Sequence, residues 1–189
     1  MVTVGDLDDA QTLYSERVEL EPLCVEHADE MAPLLDDESL HAFIGGKPAT
    51  LDELRARYAR QVVGRSPDQA QRWLNWVVRR RDNGQAVGTT QATVSERDDR
   101  LVADVAWVIG ARHQRQGYAR EATQTMVQWL QDQGVEVVFG DVHPRHQASM
   151  AVARGLGMTP THTMVDEEVR WRSIMVLPSD ATLSTPERS

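Results

Sequence analysis

Gln114-Arg115-Gln116-Gly117-Tyr118-Ala119 is the stretch on which the fold turns. Before it, residues 101–109 are almost continuously apolar, with Asp104 as the one charge, which predicts a central strand. After it, Ala119, Ala122, Met126, Val127 and Leu130 repeat at helical spacing, which predicts a helix over 117–133. The stretch is therefore a strand-to-helix junction. There, backbone N–H groups without helical partners converge and the helix dipole adds positive charge. Such a junction suits an anion, a pyrophosphate above all. Gly117 lets the backbone approach closely, and Ala119 leaves room. Arg112, His113 and Arg115 add charge. The Gly-Lys-Ser/Thr ending of a nucleotide P-loop is absent, and so is the three-glycine dinucleotide fingerprint. Taken alone, the stretch also reads as an ordinary polar loop.

Upstream, Val18 and Leu20 alternate with Glu19 and Glu21, predicting a short strand ended by Pro22. A short helix over 27–35 and a turn-like segment over 36–48 follow. Thr50 and Glu53 have capping-box spacing, and Leu51, Leu54, Tyr58 and Val62 share one face of the helix they open. Residues 73–79 and 86–94 read as strands joined through Asp82-Asn83-Gly84. Downstream come a strand over 135–142, a helix over 147–156, and a hairpin of 161–165 with 169–177 across Asp166-Glu167-Glu168. The pattern predicts one mixed α/β domain over 15–177. Residues 1–14 and 178–189 read as flexible tails.

The chain has 189 residues, 41% hydrophobic, enough for one core. Against 29 acidic side chains stand 20 basic ones, a formal charge of -9. That disfavours nucleic acid as a partner. The lone cysteine, Cys24, excludes an internal disulfide framework. Residues 1–21 are acidic without an apolar run, so no signal peptide is expected; with no run of ~20 apolar residues, no membrane association is expected and the expected location is the cytoplasm.

A second segment narrows the reading. Val142-His143-Pro144-Arg145-His146-Gln147-Ala148-Ser149 precedes Gly155-Leu156-Gly157-Met158. Together with Gln114, Gly117 and Ala119, it resembles the GNAT superfamily of acetyl-CoA-dependent N-acetyltransferases. The match is to the branch of ribosomal-protein N-terminal acetyltransferases and their small-molecule, aminoglycoside-type relatives. Residues 16–23, Glu-Arg-Val-Glu-Leu-Glu-Pro-Leu, look like that branch's opening strand. The resemblance implies a GNAT fold: a mostly antiparallel sheet of six to seven strands, flanked by about four helices, with the fourth and fifth strands, 101–109 and 135–142, splayed apart.

It also implies acetyl-CoA as cosubstrate. Its pantetheine would lie in the splay against edge groups of Val108, Ile109 and Gly110. Its pyrophosphate would lie on N–H groups of the loop formed by Gln114, Arg115, Gln116, Gly117, Tyr118, Ala119 and Arg120. The tyrosine that many members use to protonate the leaving thiolate is replaced by Ala153. Ser149 stands where the resembled branch carries a serine donor, although it could instead only contact coenzyme or cap the helix. The branch's asparagine is His146, read as lining the coenzyme side or the acceptor channel with His143. No third ligand is spaced for a metal, so no metal is expected.

For the base, Asp104 leads, as the lone charge of an apolar strand; Asp141 is second and Glu168 third. An outward-facing Asp104 is the competing possibility. Asp36, Phe43, Trp76, Glu168 and Trp171 are the candidate acceptor-binding residues, although tryptophans are more often core. The expected function is acetyl transfer to a primary amine of a small cationic molecule, such as an aminoglycoside-like antibiotic. The alternatives are acetylation of a protein N-terminus or ribosomal protein, and a non-catalytic acetyl-CoA-binding module. A monomer or homodimer is expected.

Overall fold

Alternation of apolar residues along successive strands builds most of the molecule. A computed structural model describes residues 3–40 and 46–174. In chain order the elements are β1 (Leu13–Tyr14), β2 (Val18–Pro22), α1 (Ala28–Leu35), α2 (Leu51–Gln61), β3 (Gln71–Arg80), β4 (Ala86–Arg97) and β5 (Arg100–Ile109). Then come α3 (Tyr118–Asp132), β6 (Val137–Val142), α4 (Gln147–Gly155), β7 (Thr159–Val165) and β8 (Glu168–Ile174). The strands form one sheet in the order β1-β2-β3-β4-β5-β6-β8-β7. Every neighbouring pair is antiparallel except β5 and β6, which run parallel. The four helices described flank this sheet.

The eighth strand, β1, lies in the segment read from sequence as a loose tail. Val4, Leu7 and Leu13 are buried in the core, and the Gln11 carbonyl accepts from the Trp76 indole. Three apolar residues spread through a polar stretch give no periodic signal, so sequence alone missed this packing. Phe43 and the trailing segment 178–189 lie outside the described residues.

Local signals set the remaining elements. Thr50 and Glu53 close the predicted capping box: the Glu53 N–H donates to Thr50 Oγ1 (3.3 Å) and the Thr50 N–H to Glu53 Oε2 (2.8 Å). Leu54 and Tyr58 are buried as expected, but α2 ends at Gln61 and leaves Val62 exposed. The β7–β8 turn places Asp166 and Glu167 at φ +45° and +68°. Both central residues of a tight hairpin are thus left-handed without glycine.

The sheet separates two cores. On one side α3 and α4 cover Leu74, Trp76, Val78, Ala103, Val105 and Trp171. On the other, α1 and α2 pack Ala28, Met31, Leu54 and Tyr58 against Val77 and Ala86. The sheet is forked. β5 pairs with β6 only from Val102↔Val137 to Asp104↔Phe139. Beyond Asp104, β5 stays on β4 as far as Gly88↔Ile109, while β6 stays on β8 as far as Val142↔Val169. The two arms diverge, and the predicted splay is in place.

Candidate active site

Hydrogen-bonding direction alternates along a strand, which decides what β5 offers to the fork. The Leu101 carbonyl accepts from the Glu136 N–H, toward β6 (2.9 Å). The Gly110 N–H donates to the Val87 carbonyl, toward β4 (2.9 Å). Odd-numbered residues therefore turn their backbone groups into the fork. Of the three edge residues expected from sequence, only Ile109 does so; Val108 and Gly110 face β4. Val105 and Trp107 are the further residues whose edge groups border the opening. The Ile109 carbonyl is itself taken by Gln114 Nε2 (3.1 Å). Gln114 thus ties the loop to its own strand.

The loop after β5 begins with a single turn over Ala111–His113 and ends at Gly117, with φ +86°. A side chain in that conformation is strained. Arg115 is also left-handed, at φ +60°. Among the described residues, no chain acceptor takes the N–H groups of residues 115–120, since the first helical bond runs from Glu121 N–H to the Gly117 carbonyl (3.1 Å). Burial and the guanidiniums of Arg80 and Arg112 hold the His113 imidazole below its usual range, a sign of local positive potential. Uncommitted amides, a helix N-terminus and surrounding cations fit a pyrophosphate. The Tyr118 ring is not part of that surface: it is buried, with the Arg17 guanidinium 5.3 Å above it. Arg120 is exposed and lies alongside Gly155 at the end of α4, and Ala119 is half-buried.

Sequence reasoning missed what steadies this loop. Arg17 donates to the Gln116 carbonyl (3.0 Å) and to Glu121 Oε2 (2.7 Å). Glu121 Oε1 accepts from Ser15 Oγ and the Arg17 N–H, each at 2.7 Å. Burial pushes the Glu121 carboxyl up, but these hydrogen bonds and Arg17 outweigh it and hold it below the usual range. Only the pairing of the chain's start with α3 reveals these partners.

At the vertex of the fork stands an ion network. Phe139 pairs with Asp104 in parallel register, so Asp104, Phe139 and Asp141 share one face, the α1–α2 side. Arg170 on β8 joins them. It donates to both Asp141 oxygens (2.9 and 2.8 Å) and reaches across β6 to within 3.3 Å of Asp104 Oδ1. That last contact is an ion pair without hydrogen-bond alignment. Arg97 holds the other Asp104 oxygen. The guanidiniums of Arg97 and Arg170 lie 5.6 and 5.4 Å from the Phe139 ring. The two leading base candidates are thus both committed to arginine.

On the same face, a cleft of ≈ 130 Å³ opens between α1, α2 and the sheet. Asn75, Thr89, Gln91, Arg57, Gln61 and Val108 are among its lining residues. The Trp76 ring is turned to the other face. It is fully buried and packs edge-on to Trp129 (5.7 Å, 79°). Trp171 also faces α4, buried under Arg154. Both rings belong to the core, because even positions of β3 and odd positions of β8 point toward α3 and α4; Trp76 still contributes to the cleft lining from its place on β3.

Asp36 is exposed at the end of α1. Its neighbour Asp37 is held below the usual carboxylate range, chiefly by the Ser39 side chain and backbone and also by Arg112. That places the acidic segment beside the loop that follows β5. Ser149 and His146 stand at the start of α4, where β6 ends. Both are half-buried. Burial and His143 hold the His146 imidazole below its usual range. Among the described residues no group of three or more His, Cys, Asp or Glu side chains is arranged to hold a metal, and no helix is long and apolar enough to cross a membrane.

The acetyltransferase (GNAT) domain family matches residues 17–159. The chain belongs to the GNAT acetyltransferase family. GNAT members are acetyl-CoA-dependent N-acetyltransferases, and the forked sheet is their fold. Solved structures agree at the level of fold. RimL, a ribosomal L7/L12 α-N-protein acetyltransferase in complex with coenzyme A, superposes with TM-score 0.72 at 14% identity, over 87% of this chain and 98% of that one. The Microcin C7 self-immunity acetyltransferase MccE, in complex with acetyl-CoA and AMP, gives TM-score 0.70 at 11% identity, over 85% and 94%. A GNAT acetyltransferase from Bacillus anthracis gives 0.68 at 14%, over 87% and 98%. No curated protein sequence matches the chain.

Proposed function

We propose that this GNAT enzyme transfers acetyl from acetyl-CoA to a primary amine of a small, polar, cationic molecule. The observation that carries the reading is the open fork, flanked at one end by uncommitted loop amides and on the α1–α2 face by a cleft of mixed lining, in which Leu23, Leu35 and Val108 stand beside Asn75, Thr89, Gln91 and Arg57. Loop residues 115–120 would hold the pyrophosphate, and Val105, Trp107 and Ile109 would present backbone groups to the pantetheine arm. The bound coenzyme supplies an acetyl group already activated as a thioester. Ser149 Oγ, at the open end of the β6 arm, holds a proton for the sulfur that departs. His146 lines the same end.

The formal charge of -9 supports a cationic acceptor, as do the acidic segments at 36–38 and 166–168. An aminoglycoside-like molecule combines amines for that potential with hydroxyls for Asn75, Thr89 and Gln91. The cleft lining also favours a second reading, acetylation of a protein N-terminus. Its described residues include three amides and Arg57 but no carboxylate, which suits a peptide backbone. Thiol release from acetyl-CoA with kanamycin, spermidine and a serine-initiated peptide separates the two. Turnover of kanamycin or spermidine that weakens with added salt supports the first, because screening shortens the reach of surface charge. Turnover confined to the peptide supports the second. Coenzyme binding without turnover on any of them points to a binding module and overturns both.

A further inference from the structure

An amide can serve a ligand only if its peptide unit is held facing it. Among the described residues, three side chains take backbone carbonyls of the segment 109–116. Gln114 Nε2 donates to the Ile109 carbonyl (3.1 Å), Gln116 Nε2 to that of Arg112 (3.3 Å) and Arg17 Nη1 to that of Gln116 (3.0 Å). The first two donors belong to the loop itself. Arg17 does not: it directly precedes β2 and lies 99 positions from Gln116. In the sheet, β2 stands three strands from β5, on the side away from β6, whereas the fork opens between β5 and β6. Arg17 therefore reaches the loop from behind.

A trans peptide unit points its carbonyl and its N–H in opposite directions, and among the described residues no peptide bond is cis. The unit joining Gln116 to Gly117 gives its carbonyl to Arg17. Its N–H, that of Gly117, is consequently turned away from Arg17, toward the side on which the fork opens. The same guanidinium closes the back of Gly117, where a Cβ would lie 3.1 Å from Nη2. Arg17 is held in its turn. Its Nε and Nη2 both reach Glu121 Oε2, at 2.7 and 2.6 Å. Glu121 Oε1 accepts from the Arg17 N–H and from Ser15 Oγ, each at 2.7 Å. One planar group thus grips a carboxylate along one edge and a loop carbonyl along another. A lysine ammonium has no such plane and cannot fix both.

We infer that Arg17 is a positioning residue for the coenzyme: by holding the Gln116 carbonyl it aims the Gly117 N–H at the pyrophosphate, and Glu121 keeps it in place. This rests on the reading of residues 115–120 as the pyrophosphate loop. The rival account makes Arg17 a point charge that draws in phosphate from nearby. The two accounts assign opposite parts to Glu121. Beside a point charge, Glu121 cancels attraction, so removing its charge tightens coenzyme binding. Beside a positioning residue, Glu121 is the clamp, so removing its charge loosens the guanidinium and weakens binding. They differ again at Arg17→Lys, which keeps the charge and loses the planar grip.

The test is the calorimetric Kd for coenzyme A of the wild type, Arg17→Lys and Glu121→Gln, read beside the Gly117 amide resonance in nitrogen-15 spectra. In the wild type that amide proton should move downfield on addition of coenzyme A and stay in place with pantetheine, which lacks the pyrophosphate. Arg17→Lys and Glu121→Gln should each bind coenzyme A about 10-fold more weakly, the effect of losing one well-placed hydrogen bond. In both variants the downfield shift of Gly117 should shrink, a change that a purely structural role for Arg17 would not produce. Wild-type affinity in Arg17→Lys, or tighter binding in Glu121→Gln, overturns the inference. So does a wild-type Gly117 amide that coenzyme A leaves unmoved while its loop neighbours shift, and that measurement stands whether or not a variant folds. A wild-type protein that binds no coenzyme A overturns the parent reading instead, and that result is seen before any variant is made.

Discussion

Ser149 and Gly117 mark the two ends of the proposed coenzyme path, and each makes a different prediction. Ser149 is half-buried in the first turn of α4, and among the described residues its hydroxyl is bonded to no other group. If it holds the proton for the departing sulfur, Ser149→Ala should lower kcat about 100-fold while coenzyme affinity stays close to wild type. Calorimetric titration beside a thiol-release assay reads both; full turnover in the variant removes the role. Gly117 acts on binding instead. Its φ of +86° costs an L-residue about 1–2 kcal/mol, and an added Cβ would lie 3.1 Å from the Arg17 guanidinium. Gly117→Ala is therefore expected to weaken coenzyme binding several-fold, roughly what that strain implies, with kcat at saturation little changed. Gly117 was singled out from sequence because a backbone that must approach a phosphate restricts residue type locally, and Ser149 through the family resemblance of residues 142–149. Asp104 and Asp141 were visible as lone carboxylates, but not as partners of Arg170, because that depends on where a side chain of another strand points.

At the scale of elements, the link between β2 and α3 holds the loop. Arg17 and Glu121 are 104 positions apart and form a hydrogen-bonded ion pair with Ser15 and the Gln116 carbonyl. The Glu121 carboxyl is lower in the folded protein than its ordinary value of 4.5. Its contribution is therefore fully present above that value and is lost as pH falls through the lower, folded one. Urea unfolding of the wild type between pH 7 and 3 should show this loss. Glu121→Gln should be less stable at pH 7 by about 1.5–3 kcal/mol and show a shallower acid slope. An identical slope in the variant would mean that other carboxylates set it. The elements themselves were mostly readable. Alternation gave β2, the Asp82-Asn83-Gly84 turn and the apolar run of 101–109 gave the long strands, the capping box gave α2, and helical spacing gave α3. β1 was not readable, since a two-residue strand has no period to detect and exists only because β2 offers it an edge.

For the molecule as a whole, the decisive feature is where β5 and β6 part. Arg170 grips Asp141 on the neighbouring strand and Asp104 one strand further, so it braces the vertex from β8. Arg170→Gln leaves two carboxylates facing one another with one guanidinium fewer. The expected result is a loss of roughly 2 kcal/mol in urea unfolding, moderated because the site is partly exposed. Weaker coenzyme binding should follow as the arms lose their fixed angle. A variant of unchanged stability and affinity would show that the vertex is held by backbone pairing alone. The sequence by itself determined the order of most elements, the strand-to-helix loop proposed for a phosphate and the family, because these depend on local backbone demands and on residues close in the chain. Only the tertiary structure decided that Trp76 and Trp171 belong to the core, that Asp104 and Asp141 are bound by Arg170, and that Glu168 stands at the end of the β6–β8 arm. Those outcomes depend on which strand lies beside which, and on which face of the sheet each side chain takes. Neither is a property of any short stretch of chain.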